Sequence, residues 1–119
     1  MNKYNAKIKP HFDAELREAT HRSAQRDPAG AFKRLERAHV LGQSSTRLHV
    51  IAHWHMLNWA VRNASPREFV GQVVRIIGAT TKTAMGLVPE GNTGGSNVSP
   101  FKRMAMPGDL AAIIEQARR

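Results

Sequence analysis

The chain has 119 residues, a formal net charge of +9 and no cysteine. This length predicts a single domain over residues 1–119, and the lack of cysteine excludes disulfides, thiolate metal sites and iron–sulfur clusters. No apolar run is long enough to span a membrane, and the N-terminus lacks the apolar segment of a secretory signal. We therefore expect a cytoplasmic protein.

The first two predicted helices meet at the turn Asp27-Pro28. Helix one is expected over about residues 11–25, where apolar and small residues recur at helical spacing. Asp27 suits an N-cap and Pro28 the first helical position, so helix two is expected from there to about Gln43. One face of helix two carries Ala31, Phe32, Leu35, Ala38 and His39.

Serine residues mark the starts of the next two predicted helices. Ser44 or Ser45 caps helix three, which continues to Arg62. The segment Ser65-Pro66-Arg67-Glu68 combines a serine cap, a proline at the first helical position and a glutamate at the third, which together predict a helix start. Helix four is then expected to end near Gly86, with one side formed by Phe69, Val73, Ile76, Ile77, Thr80 and Ala84.

Helices two and four begin about 38 residues apart (28 to 66), and each follows a helix of similar length. This weak internal repeat resembles alpha-hairpin solenoids such as the tetratricopeptide repeats. The predicted fold is all-α, with two antiparallel helical hairpins in a solenoid-like four-helix array. A long ordered connector and a short terminal helix follow.

The connector, residues 86–107, is rich in turn-forming residues and has no helical or strand period. A loop this long in a small domain is usually functional or disordered. The apolar residues spaced along this loop predict that it is ordered and packs on the helices. It is expected to cover the mouth of a pocket between the hairpins. Asn92, Thr93 and Asn97 are therefore candidates for ligand contact. The terminal helix is expected over about residues 109–118.

The main candidate site lies around the turn between helices two and three. Glu36 and His39 are three residues apart before the turn, and His49 and His53 are four apart after it. In a helical hairpin this spacing brings all four side chains toward one end of the crevice. Imidazole and carboxylate groups bind borderline divalent metals. We therefore predict a site for zinc, copper, nickel or iron, with Glu36 as a ligand or as a hydrogen-bonding partner of one.

Other interpretations of the same residues stay open. Buried histidines also serve in hydrogen-bond networks, which favours a non-enzymatic helical module that binds an unknown protein partner. A di-iron site is not expected, because the Glu-x-x-His element Glu36–His39 is not accompanied by the further carboxylates that such a site needs. No serine has an evident base, so no catalytic residue is predicted. Trp54 and Trp59 are interpreted as core or hairpin-packing residues.

The positive charge raises the question of nucleic-acid binding. The basic residues are dispersed over the whole chain and accompany no recognition motif. A nucleic-acid role is therefore the third interpretation. It predicts a steep loss of affinity with salt, with a log–log slope of about −0.9 for each phosphate contacted on duplex DNA.

Several longer motifs resemble an uncharacterised bacterial family, domain of unknown function 3703. They are Leu35-Glu-Arg-Ala-His-Val-Leu-Gly-Gln43, His49 with His53-Trp54-His55-Met56-Leu57, Gly86-Leu-Val-Pro and Gly91-Asn-Thr-Gly-Gly-Ser-Asn-Val-Ser-Pro-Phe101. The resemblance covers nearly the whole chain. It implies family membership and carries over no activity. Lys102-Arg103 departs from the less charged stretch expected after Phe101.

Overall fold

The computed structural model describes residues 2–84, 94 and 104–119, without the side chains of 79–84. These residues form five helices and no strand, which confirms the predicted all-helical class. The helices are α1 (Lys3–Ala24), α2 (Pro28–Gly42), α3 (Thr46–Arg62), α4 (Pro66–Ala84) and α5 (Gly108–Arg118). The hairpin and solenoid-like arrangement stays a prediction.

Helix α1 begins at Lys3, about eight residues before the predicted start, so that boundary was wrong. Asn2 caps the helix by accepting a hydrogen bond from the backbone N–H of Asn5 at 2.7 Å. Pro10 lies inside the helix, a position that normally interrupts one. The additional turns bury Ile8 completely, and this apolar contact offsets the cost of the proline.

The caps predicted for α2 and α3 are present. The Asp27 side chain accepts from the N–H of Gly30 at 3.0 Å, and Ser45 accepts from the N–H of Leu48 at 3.3 Å. Each bond satisfies a backbone donor that a helix start otherwise leaves unpaired. The short turns these caps create bring consecutive helices together.

Two clusters of buried apolar residues hold four of the helices together. The larger joins α1, α2, α3 and α5 through Ile8, Phe12, Leu41, Leu48, Leu110 and other side chains. The smaller is formed by Ala19, Leu35 and Met56, with Trp59 packed against it. Met106, at the end of the predicted connector, packs on the larger cluster. Among the described side chains, neither cluster includes a residue of α4.

Gly42 allows the end of α2 to approach its neighbours closely. A Cβ atom at this position would lie 2.9 Å from the Leu48 Cβ and 2.9 Å from the Phe12 ring. Any larger residue would push α2 away from α1 and α3. The glycine therefore sets the distance between His39, three residues earlier on α2, and the histidines of α3.

The two tryptophans behave differently. Trp59 packs on Phe32 with ring centroids 4.5 Å apart and donates from Nε1 to the carbonyl of Pro28 at 2.8 Å, as a packing residue should. Trp54 is 56% exposed, so its interpretation as a core or packing residue was wrong. It lies on the outer side of α3, one residue beyond the buried His53.

Arg37 ties α1, α2 and α5 together through two carboxylates. Its Nε donates to Glu15 at 2.9 Å, and its guanidinium makes a two-pronged contact with Asp109. Glu15 also accepts from Arg34 at 3.3 Å. The hydrogen bond from Arg37 lowers the pKa of Asp109 below its ordinary value of 3.8.

This pair predicts a pH-dependent contribution to stability. A carboxyl whose pKa is lowered on folding stabilises the protein above its unfolded pKa, and the contribution is lost as the pH falls through the folded pKa. The Asp109 side chain is 58% exposed, so we expect Asp109→Asn to cost less than about 1 kcal/mol at pH 7. Urea unfolding at pH 7 and below pH 3 measures both values. A difference that persists unchanged at the lower pH contradicts the assignment.

Among the described residues, no helix combines the length and apolar character needed to cross a membrane.

Candidate metal centre

Three histidines predicted to converge are brought together at the α2–α3 turn. His39 lies on the last turn of α2, and His49 and His53 lie one turn apart on α3. All three are buried, with 3%, 4% and 2% of their surface exposed. One ring nitrogen from each lies within 4.8 Å of the others. We call these residues the histidine triad.

The three imidazole rings of the triad lie at nearly equal distances from one another. The Nε2 atoms of His39 and His49 are 2.9 Å apart. The ring centroids are separated by 4.7 Å for His39–His49, 4.6 Å for His39–His53 and 4.9 Å for His49–His53. Two imidazole nitrogens at 2.9 Å repel each other unless a proton or a cation lies between them. The arrangement therefore has the chemistry of a hydrogen-bonded pair or of a metal site.

A polar network from α4 lies behind His53. Nδ1 of His53 lies 2.5 Å from Oε1 of Gln72, a side chain that is completely buried. The Gln72 amide nitrogen donates to Glu68 at 2.6 Å and to the backbone carbonyl of Gly94 at 2.9 Å. A hydrogen bond to the outer nitrogen of a metal-binding imidazole is what orients such ligands in metalloproteins. The contacts that Gln72 makes in this network were not predicted from the sequence.

The backbone at Gly94 lies directly against His39. A Cβ atom at Gly94 would be 2.5 Å from Cδ2 and 2.7 Å from Nε2 of His39, and the residue has a φ of +80°. Both the contact and the left-handed backbone require glycine. Gly94 belongs to the predicted connector, most of which lies outside the described residues, and its contact places this one residue against His39.

The other predicted site residues have different outcomes. Glu36 is half-buried and is not among the three side chains within ligand range of one another. It lines an open groove of about 630 Å³ together with Phe32, Trp59 and Glu68. Its role toward the metal therefore stays a prediction. The candidates Asn92, Thr93 and Asn97 lie outside the described residues.

His55 does not join the triad although it lies on the same helix. It is partly buried on another face of α3, and burial, together with the positive charge of Arg62, lowers its pKa. It is not among the side chains that come within ligand range of one another. His55 is therefore a natural control for the triad.

Helix α4 presents polar residues to the triad and apolar residues to the surface. Its most buried described side chains are Gln72 and Glu68. Five large apolar residues, which we call the α4 apolar face, are between 38% and 70% exposed: Phe69, Val70, Val73, Val74 and Ile77. An amphipathic helix normally turns its apolar side to the core. In α4 the inward positions are instead occupied by Gln72 and Glu68, which form the polar network behind His53.

The chain matches a family without assigned chemistry. A sequence model of the family described as Protein of unknown function (DUF3703) matches residues 6–114, a range that includes the whole triad, Gln72 and Gly94. No curated protein and no solved structure matches the chain.

Proposed function

Since the chain belongs to the DUF3703 family, whose description names no activity, we propose a function from the site itself: the protein binds a divalent transition metal, or a complex of one, through His39, His49 and His53. The observation that carries this proposal is the convergence of three buried imidazoles, with one nitrogen from each within 4.8 Å. The protein acts in the cytoplasm as a binding protein rather than an enzyme.

The distances fit an ion after small side-chain rotations. Zinc–nitrogen bonds of about 2.0–2.1 Å place the nitrogens of a tetrahedral site about 3.3 Å apart. The His39–His49 separation of 2.9 Å is slightly shorter than this, and the limit of 4.8 Å for the group is longer. Neutral imidazoles suit zinc, copper(II), nickel and iron(II), and the chain has no cysteine to supply a softer ligand.

Three protein ligands leave at least one coordination position for another group. A water molecule, the carboxylate of Glu36 after a rotamer change, or a donor on a bound metal complex can take this position. Glu36 is thus assigned a supporting role, either as that additional ligand or as an acceptor for a metal-bound water. Its half-buried position beside the groove agrees with the supporting role.

Elemental analysis tests the proposal directly. Protein purified without a histidine tag, loaded with zinc and then desalted, should retain close to one equivalent of metal. His55→Ala, which removes an imidazole from the same helix but not from the triad, should retain as much. The proposal fails when neither zinc, copper(II) nor nickel is retained by the folded wild-type protein above a small fraction of an equivalent.

A second candidate function, binding of a partner helix, is favoured by the α4 apolar face. Its five residues fall within an arc of roughly 140° on the helix, and they are exposed. Contiguous apolar surface of this kind is typical of interaction sites. The spacing of Val70, Val73 and Ile77 is that of a coiled-coil seam, which suits a helix better than a flat surface.

The charge of the chain favours an acidic partner helix. Arg67 is an exposed charged residue next to the α4 apolar face, and the chain carries a net charge of +9. A second copy of this chain brings the same positive charge and is disfavoured by repulsion. A helix with an apolar stripe and glutamates beside it complements both features.

Synthetic peptides test whether the α4 apolar face binds an acidic helix rather than a second copy of this chain. A helical peptide with leucine at the seam positions and glutamate beside them should bind in fluorescence anisotropy, and a peptide with lysine in place of glutamate should bind much more weakly. Ile77→Glu should abolish binding, and Ala111→Glu, on the exposed side of α5, should not. Equal binding of both peptides, no binding of either, or a dimer of the chain alone in sedimentation contradicts an acidic helical partner.

A further inference from the structure

Gln72 joins three groups around the triad. It is fully buried on α4 and contacts three groups that belong to different segments: the His53 ring, the Glu68 carboxylate and the Gly94 carbonyl. A buried amide stabilises a structure only when its donors and acceptor are all matched. Here two acceptors face its nitrogen and a ring nitrogen faces its oxygen.

The neighbours of Gln72 fix which way its amide points. A backbone carbonyl can only accept, so the group 2.9 Å from the Gly94 oxygen must be the amide NH₂. Rotating the amide by 180° would place two oxygens against each other at this contact. The same NH₂ has a second hydrogen for the Glu68 carboxylate at 2.6 Å. The amide oxygen therefore faces His53.

This orientation fixes the proton on His53. The amide oxygen accepts only, so Nδ1 of His53 carries a hydrogen and donates to it across 2.5 Å. The neutral ring then has its lone pair on Nε2, the nitrogen through which a metal ligand of this tautomer binds. In the opposite tautomer, Nε2 carries the proton and cannot coordinate.

The amide also reaches a second ligand through the backbone. Its bond to the Gly94 carbonyl holds a glycine whose Cα lies against the His39 ring. The ring of His39 is thereby confined on the side where Gly94 packs. A single side chain on α4 thus acts on His53 by a hydrogen bond and on His39 by packing.

We infer that Gln72 is the positioning residue of the metal site: it selects the Nδ1–H tautomer of His53 and, through Gly94, holds His39 in place. The inference rests on the proposed metal function for its consequence on affinity. The tautomer itself is a property of the metal-free protein. Glu68 has the further role of fixing the Gln72 amide from the side opposite His53.

Nuclear magnetic resonance of the ring nitrogens tests the tautomer without any metal. Long-range ¹⁵N–¹H correlation of the wild-type apoprotein above pH 7.5 should show His53 protonated at Nδ1 and not at Nε2. Gln72→Met, which keeps the length of the side chain but removes its hydrogen bonds, should give a mixture of tautomers. An Nε2–H ring in the wild type, or an unchanged ring in Gln72→Met, overturns the inference.

Zinc affinity measures the consequence for binding. Gln72→Met should bind zinc about 10–100-fold more weakly, still with one equivalent at saturation. The same change at an exposed position on α5, Gln116→Met, should leave the affinity unchanged. Affinity unchanged in a folded Gln72→Met protein contradicts the role in positioning.

A double substitution separates positioning from general support of the fold. In Glu68→Gln/Gln72→Glu, the carboxylate at position 72 accepts from His53 Nδ1–H, and the amide at position 68 donates to that carboxylate. The tautomer should be restored, while the bond to Gly94 is lost, so zinc affinity should recover in part. Gln72→Glu alone places two carboxylates together, so its zinc affinity should recover less than that of the double variant. Failure of the double variant to restore the Nδ1–H ring contradicts the inference, even when Gln72→Met does not fold.

If the wild-type protein takes up no metal, that result contradicts the proposed function. The resonance experiment on the apoprotein still decides whether Gln72 sets the tautomer, so the two failures are distinguishable.

Discussion

Zinc at a concentration 100 times its Kd is expected to raise the free energy of unfolding of the wild-type protein by about 2.7 kcal/mol. The reason is that the triad exists only in the folded chain, so binding favours the folded state. His49→Ala/His53→Ala removes two of the three proposed ligands, and the stability of this double variant should not respond to zinc. Urea unfolding with and without the metal measures both. The stabilisation should weaken as the pH falls below about 6.5, because imidazoles must be neutral to bind.

The same measurement distinguishes a metal site from a hydrogen-bond network. A network predicts that the double variant loses stability while zinc has no effect on the wild type. His55→Ala is the matched control, since it removes a partly buried imidazole of α3 that lies outside the triad. Its response to zinc should equal that of the wild type. A wild-type protein that is equally stable with and without zinc, copper(II) and nickel contradicts the metal site.

Gly94→Ala is expected to lower both stability and zinc affinity. The new Cβ would lie 2.5 Å from the His39 ring, and the φ of +80° is strained for any L side chain. The backbone at residue 94 must move, which breaks the hydrogen bond from Gln72. We expect a loss of roughly 1–3 kcal/mol in the free energy of unfolding. Urea unfolding and a zinc titration report the two effects.

Gly108→Ala is the control for this substitution. Gly108 starts α5 and has nothing within 4 Å of the position where a Cβ would lie. The change should alter stability by no more than about 0.5 kcal/mol and leave zinc affinity unchanged. Equal behaviour of the two alanine variants would mean that residue 94 does not pack on the triad.

The triad was predictable from the sequence because its geometry is local. His49 and His53 lie one turn apart on a helix, which places them on one side. The cap at Ser45 and the short turn before it return the chain so that His39 meets them. These signals depend on residues within about one hairpin. Glu36 belongs to the same hairpin, but a helix position alone does not tell whether a half-buried carboxylate reaches the rings.

Gln72 and Gly94 were not predictable, because their contacts join distant parts of the chain. Gln72 is 19 residues from His53 and 22 from Gly94. A glutamine in a helix and a glycine in a turn-rich segment have many ordinary roles. The only local sign was the Gly94-Gly95 pair, which indicates unusual backbone conformation without saying what lies beside it.

The helical period of α4 was also visible, but not the direction of its faces. Periodicity predicts that Phe69, Val73 and Ile77 share one side, and they do. The usual rule then turns that side to the core, whereas all three are exposed. The rule does not apply here because the inward positions carry the network behind His53. Trp54 was misjudged for a similar reason, since an aromatic residue is usually buried.

The unequal attachment of the helices has a consequence for how the protein opens. Helices α1, α2, α3 and α5 share apolar clusters, whereas no described side chain of α4 belongs to either cluster, and the buried side chains of α4 are the polar Gln72 and Glu68. Segments with few apolar contacts open separately from the core, at lower free energy. Amide hydrogens of α4 should therefore exchange with solvent before those of α1 and α2. Because that opening breaks the bond to His53, an ion held by the rings would slow exchange along a helix that contributes no ligand to it.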